Sequence, residues 1–246
     1  MPLHVDRRGR VAVLTLDDPD RRNALTPELV EEIVAAVDAA DADDGVGAIV
    51  VTGAPPAFCS GADVGKLAAV GEQPDSGSGS AGLRGVYEGF LRVLRSPLPT
   101  VAAVNGPAVG AGFNLALACD VRITGRSGRF DTRFLRLGIH PGGGHTWLLE
   151  RAVGPEAAAA MVLFGERVDG ARAVEIGLAW RCVDDDALLD EAIALAGRAA
   201  EAPRAVATKV KATLRQAPWQ PDFDAAVTTE LERQVWSFEQ GFFSRR

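Results

Sequence analysis

Two short runs of small residues constrain this chain most strongly, because each follows an apolar strand-like segment and precedes a helical pattern. The first run covers residues 58–63 (FCSGAD) and the second covers residues 105–113 (NGPAVGAGF). Backbone N–H groups at the start of a helix have no intrahelical partner and point outward. Two such amides that converge on one carbonyl oxygen form an oxyanion hole, which tolerates little side-chain bulk around it. The two runs therefore predict a site built from backbone amides.

Strand-like and helix-like patterns alternate over the first three quarters of the chain. Thr26 followed by Pro27 predicts a helix N-cap with proline at the first helical position. The continuous apolar run 48–52 is typical of a strand buried on both faces. This alternation predicts an α/β layered fold. Further strands are predicted at 11–16, 101–104 and 121–123.

The remaining segments predict a loop and a helical C-terminal part. Residues 71–85 are rich in glycine and serine, which favours a mobile loop beside the first small-residue turn. From Leu188 onward the sequence has helical periodicity, with breaks at Pro203 and around residues 218–221. We therefore expect two or three C-terminal helices and no further strand.

The charge and cysteine content exclude several classes of protein. The 26 basic and 33 acidic residues give a net charge of −7, which argues against general nucleic-acid binding. The three cysteines show neither metal-ligand spacing nor a disulfide framework. Neither a signal-peptide core nor an apolar run of ~20 residues is present. The sequence predicts a cytoplasmic protein without a metal and without a nucleic-acid or membrane partner.

The glycines do not match the common nucleotide-binding motifs. Residues 106–112 do not follow the dinucleotide pattern G-x-G-x-x-G, and Gly65-Lys66 lacks the rest of a P-loop. By contrast, residues 57–63 resemble the F-x-x-G-A-D motif of the enoyl-CoA hydratase/isomerase (crotonase) superfamily. Residues 105–120 resemble its pattern N-G-x-x-x-G-G-G-x-E-L…C-D, and residues 19–25 and 137–144 resemble two further loops of that family.

The resemblance implies a fold, an assembly and a ligand. It implies an α/β crotonase-like ββα spiral over residues 1–187, followed by a C-terminal helical region, residues 188–246, that mediates trimerisation. A homotrimer or a dimer of trimers is therefore expected. The implied partner is an acyl-CoA thioester, with coenzyme A as part of the substrate and no separate cofactor.

The resemblance also assigns roles to residues of this sequence. The amides of Ser60 and Ala111 are expected to polarise the thioester carbonyl between them. Arg22 is expected to reach the phosphates of coenzyme A. The other residues expected to border the ligand are Ala24, Leu25, Phe58, Ala62 and Asp63.

The sequence departs from the family where hydration chemistry requires carboxylates. Hydration of an enoyl thioester requires a water held between two glutamates, one acting as base and one as proton donor. The corresponding positions carry Asn114 and Phe134, neither of which titrates. Because one general acid or base contributes ~10²–10⁴ in rate, little hydratase activity is expected. The isomerases that keep only the second glutamate are disfavoured for the same reason.

Several residues remain open as substitutes. His140 and His145 flank the glycine turn 141–144, where each is either an acid/base group or a polar loop or helix-cap residue. Asp131 is the nearest acid to Phe134, and the Ser60 hydroxyl lacks an identifiable base. Two functions stay open as a result. One is an enzyme that stabilises an enolate-like anion, and the other is a non-catalytic acyl-CoA binder whose pocket is made more apolar by Phe134.

Overall fold

The structure, a computed structural model, describes residues 1–62 and 77–242, with side chains left aside at residues 77–81. Nine strands within these residues form two sheets. The strands are β1 (Leu3–Arg8), β2 (Val11–Leu16), β3 (Ala48–Gly53), β4 (Thr100–Val104), β5 (Pro107–Val109), β6 (Val121–Gly125), β7 (Arg129–Asp131), β8 (Val168–Asp169) and β9 (Arg181–Val183).

The larger sheet has the order β1-β2-β3-β4-β6-β9. Only the β1–β2 pair is antiparallel, and the other neighbours are parallel. Strand β3 lies inside this sheet and is buried along its whole length, as its apolar, mainly β-branched sequence predicts. The smaller sheet has the order β5-β7-β8 and brings the second small-residue turn beside Asp131.

Eight α-helices connect or cover these strands in the described residues. They are α1 (Pro27–Ala42), α2 (Gly77–Arg95), α3 (Ala111–Ala118), α4 (His145–Val162), α5 (Gly170–Glu175), α6 (Leu188–Ala200), α7 (Arg204–Gln216) and α8 (Phe223–Glu239). The predicted cap of α1 is confirmed, since Thr26 Oγ1 accepts a hydrogen bond of 3.3 Å from the Leu29 amide. Helix α4 bends at Gly154, whose φ is 77°.

The hydrophobic core has two parts, one on each face of the larger sheet. Helices α1, α2 and α3 contribute to the larger part, together with one face of the strands. Helix α6 covers the opposite face with Leu188, Ala192, Ala196 and Ala200, which recur every four residues. The α/β prediction is confirmed. The predicted boundary between residues 1–187 and residues 188–246 stays a prediction. It separates the larger sheet from α6, the helix that covers one of its faces.

The predicted loop over residues 71–85 is wrong from residue 77 onward, and its first residues lie outside the described part of the chain. Helix α2 begins at Gly77. Val86, Phe90 and Val93 recur at helical spacing and pack on the larger core. Packing of this apolar stripe outweighs the low helix propensity of Gly82 and Gly85, where an added Cβ would meet open space.

The C-terminal part is helical, as predicted, and the described residues after Leu188 contain no strand. None of the helices in the described ranges is long and apolar enough to cross a membrane. Helices α7 and α8 leave several large apolar side chains exposed. These are Val210, Leu214, Phe223, Val227, Leu231, Val235 and Phe238.

Candidate active site

A short parallel bridge fastens the two small-residue turns to each other. The Cys59 amide donates to the carbonyl of Pro107 at 3.1 Å, and the Val109 amide donates to the carbonyl of Cys59 at 3.0 Å. Gly112 lies against the same carbonyl, since a Cβ at that position would be only 2.2 Å from the Cys59 oxygen. The close approach of the two turns therefore depends on the absence of a side chain at Gly112.

Asn23 stabilises the segment that leads into the first turn, and the sequence analysis did not identify it as a structural residue. Its side chain is fully buried, and Nδ2 lies within hydrogen-bond distance of the carbonyls of Ala54, Ala57 and Phe58 at 2.9, 2.8 and 3.3 Å. Its Oδ1 accepts from the Asp18 amide at 2.9 Å. The residue type was the only signal in the sequence, because asparagine tolerates the left-handed φ of 58° found here better than most residues.

The prediction for the Ser60 amide is wrong. This N–H donates to the carbonyl of Arg22 at 3.0 Å, and the Ser60 hydroxyl donates to the carbonyl of Arg21 at 3.0 Å. The Gly61 amide lies close enough to the Cys59 thiol to lower its pKa against the larger, raising effect of burial. The Ala62 amide has no acceptor among the described residues, although Ala62 forms a bridge with Leu25. The amide of this turn that remains available is therefore that of Ala62.

In the second turn, the Ala111 amide is available as predicted. Ala111 is the first residue of α3, so its N–H has no carbonyl partner within the helix. The preceding Gly110 has a φ of 53° and offers no side-chain cap. A Cβ on Gly61 would lie 3.5 Å from the Ala111 nitrogen. The segment Gly61–Ala62 thus lies directly beside the start of α3.

Both turns open into one cavity of about 270 Å³. Ala62 and Ala111 lie on its wall, as do Ser60, Gly61 and Gly110. The rest of the wall is mainly apolar, which is typical of sites for small organic ligands. These apolar residues are Leu83, Val86, Tyr87, Phe134, Leu137 and Ile139.

Asn114 is a buried polar side chain of this cavity, as is Thr132. Asn114 is 1% exposed, and it lies one helical turn after Ala111 on the same helix. Its Nδ2 donates to the carbonyl of Gly142 at 3.0 Å, and its Oδ1 lies 2.6 Å from Nδ1 of His145. An amide oxygen only accepts, so this network assigns the imidazole proton to Nδ1.

His145 lies behind Asn114 rather than on the cavity wall. Its ring is 1% exposed and packs edge-on against Phe113 and Phe134, with centroid distances of 5.3 and 4.9 Å. Nε2 is buried and has no hydrogen-bond partner among the described residues. Burial away from water lowers the pKa of His145 to about 4, so the ring is neutral at physiological pH.

The other proposed acid/base residues occupy different surroundings. His140 lies on the cavity wall and is exposed, with Nδ1 2.7 Å from the carbonyl of Pro141. Asp131 forms ion pairs with Arg136 and Arg167 and is not part of this cavity. None of the described residues of the cavity wall is an aspartate or a glutamate.

The remaining residues expected to border the ligand have mixed positions. Ala24, Leu25 and Phe58 are buried and support the turn instead of lining the cavity, so the expectation of ligand contact is wrong for their side chains. Arg22 is exposed at the edge of the first turn, which leaves its side chain available to a phosphate. Asp63 lies outside the described residues.

The described residues provide no cluster of side chains that could bind a metal ion. Residues 1–62 and 77–242 contain no group of three histidine, cysteine or carboxylate side chains placed to hold an ion. Cys59 and Cys119 are buried, and burial raises the pKa of each thiol to about 12. Both side chains therefore act as small apolar groups.

Comparison with known proteins identifies relatives of this chain and similar solved structures. The protein named "Probable enoyl-CoA hydratase EchA14" from Mycobacterium tuberculosis (strain ATCC 25618 / H37Rv) is 50% identical over 214 residues, which cover 87% of this chain and 80% of that protein. An enoyl-CoA hydratase from Bacillus anthracis has a similar fold, with a TM-score of 0.88, 26% identity, and coverage of 96% of this chain and 90% of that one.

A protein from Thermobifida fusca YX, solved in complex with acetoacetyl-CoA, matches with a TM-score of 0.87 and 30% identity. The match covers 97% of this chain and 95% of that one. The sequence profile described as Enoyl-CoA hydratase/isomerase matches residues 6–240. The spiral predicted from the sequence is confirmed by these neighbours, and the chain belongs to the enoyl-CoA hydratase/isomerase (crotonase) family.

Proposed function

We propose that this protein binds an acyl-CoA thioester and holds its carbonyl oxygen between the amides of Ala62 and Ala111. The observation that carries the proposal is the position of these two amides. Both belong to residues on one cavity wall, and neither has an acceptor among the described residues. Such donors stabilise negative charge that develops on the oxygen, as in an enolate.

The lining of the cavity favours an apolar acyl group as the bound part of the ligand. Its volume of about 270 Å³ and its mainly aliphatic and aromatic wall suit a short or medium hydrocarbon chain, and Arg133 is the charged residue among the described residues of that wall. Arg22 is exposed, and its carbonyl accepts from the amide of Ser60 on the cavity wall, so its side chain is available for the phosphates of coenzyme A. The Thermobifida fusca neighbour in complex with acetoacetyl-CoA supports the same ligand class.

Hydration of an enoyl-CoA is not the reaction we propose. Phe134 lies on the cavity wall and Asn114 offers an amide, so the described wall provides no carboxylate to activate water. His145 is buried and already bonded to Asn114, which leaves His140 as the imidazole on the wall. A reaction at this site would therefore begin with enolate stabilisation and use a group other than paired glutamates.

Non-catalytic acyl-CoA binding is the second candidate, favoured by Phe134. Its ring replaces a proton donor with an apolar surface against the acyl chain. The two candidates predict the same binding and differ in turnover on acyl-CoA substrates. The homotrimeric or hexameric assembly and the cytoplasmic location remain predictions.

Binding of matched ligands tests the proposal. Butyryl-CoA carries the thioester oxygen, whereas S-butyl-CoA is the corresponding thioether and lacks it. We expect butyryl-CoA to bind at least about fivefold more tightly, since each hydrogen bond contributes about 0.5–1.5 kcal/mol. Equal affinity for the two ligands, or no binding of either, would overturn the proposal.

Replacement of Ala111 by proline removes one donor. Proline is tolerated at the first position of a helix, so Ala111→Pro is expected to fold. Ala111→Gly is the matched control, because it shortens the side chain and keeps the N–H. We expect the preference for butyryl-CoA to fall in Ala111→Pro and to persist in Ala111→Gly. Circular dichroism of both variants checks the fold.

A further inference from the structure

The side chain of Asn114 has one hydrogen-bond donor left over. Its Oδ1 accepts a hydrogen bond from His145, and one of its two Nδ2–H groups donates a hydrogen bond to the carbonyl of Gly142. The amide group carries a second Nδ2 proton, and none of the described residues provides an acceptor for it. Asn114 lies on the cavity wall, so an oxygen atom of a bound ligand could accept a hydrogen bond from this N–H group.

The carbonyl of Gly142, which can only accept, and Nδ1 of His145 together fix which end of the amide faces the ligand. If the amide were turned over, Nδ2 would face Nδ1 of His145, and the carbonyl of Gly142 would face the amide oxygen instead of a donor. The aromatic rings of Phe113 and Phe134 pack edge-on against the imidazole and restrict its position. The buried pair therefore presents Asn114 as a donor.

The position of Asn114 relative to Ala111 selects the part of the ligand that it meets. Residues three apart on a helix lie about 5–6 Å apart between their Cβ atoms. Asn114 lies one helical turn after Ala111 on the same cavity wall, so with the thioester oxygen at the Ala111 amide we expect its side chain to meet the first carbons of the acyl chain. The same wall carries the apolar side chains of Phe134 and Leu137. A polar contact near the thioester is thus combined with an apolar surface for the rest of the acyl group.

We propose that Asn114 donates a hydrogen bond to an oxygen on the β-carbon of the acyl group, and that His145 is the positioning residue that orients it. The protein would then prefer 3-oxoacyl- or 3-hydroxyacyl-CoA to the unsubstituted acyl-CoA. This inference rests on the proposed function, because it places the thioester at the amides of Ala62 and Ala111.

The test compares two ligands of equal chain length, acetoacetyl-CoA and butyryl-CoA, by calorimetric titration at pH 7. We expect the wild-type protein to bind acetoacetyl-CoA about three- to tenfold more tightly, as one additional hydrogen bond implies. Equal binding of the two ligands would overturn this inference and leave the proposed function intact. Failure of both ligands to bind would overturn the two together.

Variants separate positioning from general support of the fold. Asn114→Leu removes the donor and is expected to abolish the preference. His145→Phe removes the Nδ1 donor that orients the amide, and we expect the preference to fall. His145→Gln provides an amide donor in place of the imidazole and is expected to retain it. If His145 had a purely structural role, His145→Phe would weaken the binding of both ligands equally. The ratio of the two affinities would then stay unchanged, which would overturn the inference.

The pH dependence gives a second readout for the same variants. His145 makes its ring contacts with Phe113 and Phe134 and its hydrogen bond with Asn114, and none of these three residues is charged. We therefore expect the preference for acetoacetyl-CoA in the wild-type protein to be constant between pH 6 and pH 8. A change that follows a single ionisation in that range and disappears in His145→Gln would contradict the positioning role. Glu150→Gln, at an exposed position of the same helix, is the control.

Discussion

Oδ1 of Asn114 lies 2.6 Å from Nδ1 of His145, and both side chains are 1% exposed. This bond connects the first turn of α3, where the Ala111 amide is located, to the first residue of α4. A neutral imidazole is therefore part of the framework of the cavity. The sequence left two roles open for this histidine, and its burial favours the structural one.

The burial of His145 predicts a dependence of stability on pH. Burial lowers its pKa in the folded protein from 6.5 to about 4. Between these values the unfolded chain binds a proton that the folded protein does not, so the stability falls as the pH decreases from 6.5 to 4. The contribution of His145 to this loss is about 3 kcal/mol, and above pH 6.5 it vanishes.

Urea unfolding of the wild-type protein and His145→Gln between pH 4.5 and pH 7.5 measures this contribution. The other titrating groups cancel in the difference between the two proteins. We expect the wild-type protein to lose about 1.4 kcal/mol per pH unit relative to the variant below pH 6.5. A difference independent of pH would mean that the imidazole titrates normally.

Hydration of crotonyl-CoA is expected to be slow. Neither Asn114 nor Phe134 takes or gives a proton, so the rate should be at least about 10²–10⁴ times lower than that of a two-glutamate hydratase. The combined replacement Asn114→Glu and Phe134→Glu should restore part of the activity. Each single replacement should restore much less, because the two carboxylates act on one water.

The hydration rate is measured in a spectrophotometer as the loss of enoyl absorbance. Phe134→Leu, which changes the same wall position without adding a carboxylate, is the control and should restore nothing. A wild-type rate comparable to that of ordinary hydratases would refute the expectation. His140 on the cavity wall would then be the first group to test as the base.

Asn23 is expected to be important for stability. Asn23→Ala removes the donor shared by three carbonyl groups, two of them buried, and should lower the free energy of unfolding by about 2–4 kcal/mol. Asn23→Gly is the matched control, because glycine adopts the left-handed φ of 58° without strain. If the hydrogen bonds dominate, the two variants lose similar stability in urea unfolding. Full stability in Asn23→Gly would attribute the effect to backbone strain.

The exposed apolar side chains of α7 and α8 agree with the predicted assembly. Leu214, Phe223 and Leu231 are 70%, 81% and 56% exposed in the single chain. We expect light scattering to give a mass of three or six times the 25.8 kDa chain. Leu231→Arg should shift the protein towards smaller species, whereas Glu150→Gln should not. A monomeric wild-type protein would contradict the prediction.

Local sequence patterns were sufficient for much of the fold. The run 48–52 and the pair Thr26-Pro27 have strong local signals, because a strand buried on both faces and a capped helix start are determined by neighbouring residues. Strand β1 was not predicted, since its mostly exposed side chains give no apolar pattern. Helix α2 was missed in its first turns because the stabilising contacts come from its later residues and from distant elements.

The site could be predicted only as far as the positions of the turns. Sequence alone cannot show which amide of residues 60–62 is free, because the surroundings of the Ser60 and Gly61 amides depend on how the chain folds back. The carbonyl that engages the Ser60 amide belongs to Arg22, thirty-eight positions earlier in the chain. The contact between Asn114 and His145 likewise joins residues of different helices, and no local pattern contains it.

The carbonyl carbon of a bound thioester tests the central claim most directly. Polarisation of the C=O bond moves electron density towards oxygen, so the ¹³C resonance of [1-¹³C]butyryl-CoA should move downfield on binding to the wild-type protein. The account predicts the same shift with Ala111→Gly and a clearly smaller one with Ala111→Pro. A bound ligand whose carbonyl resonance is unchanged, or a shift equal in wild type and Ala111→Pro, would contradict it.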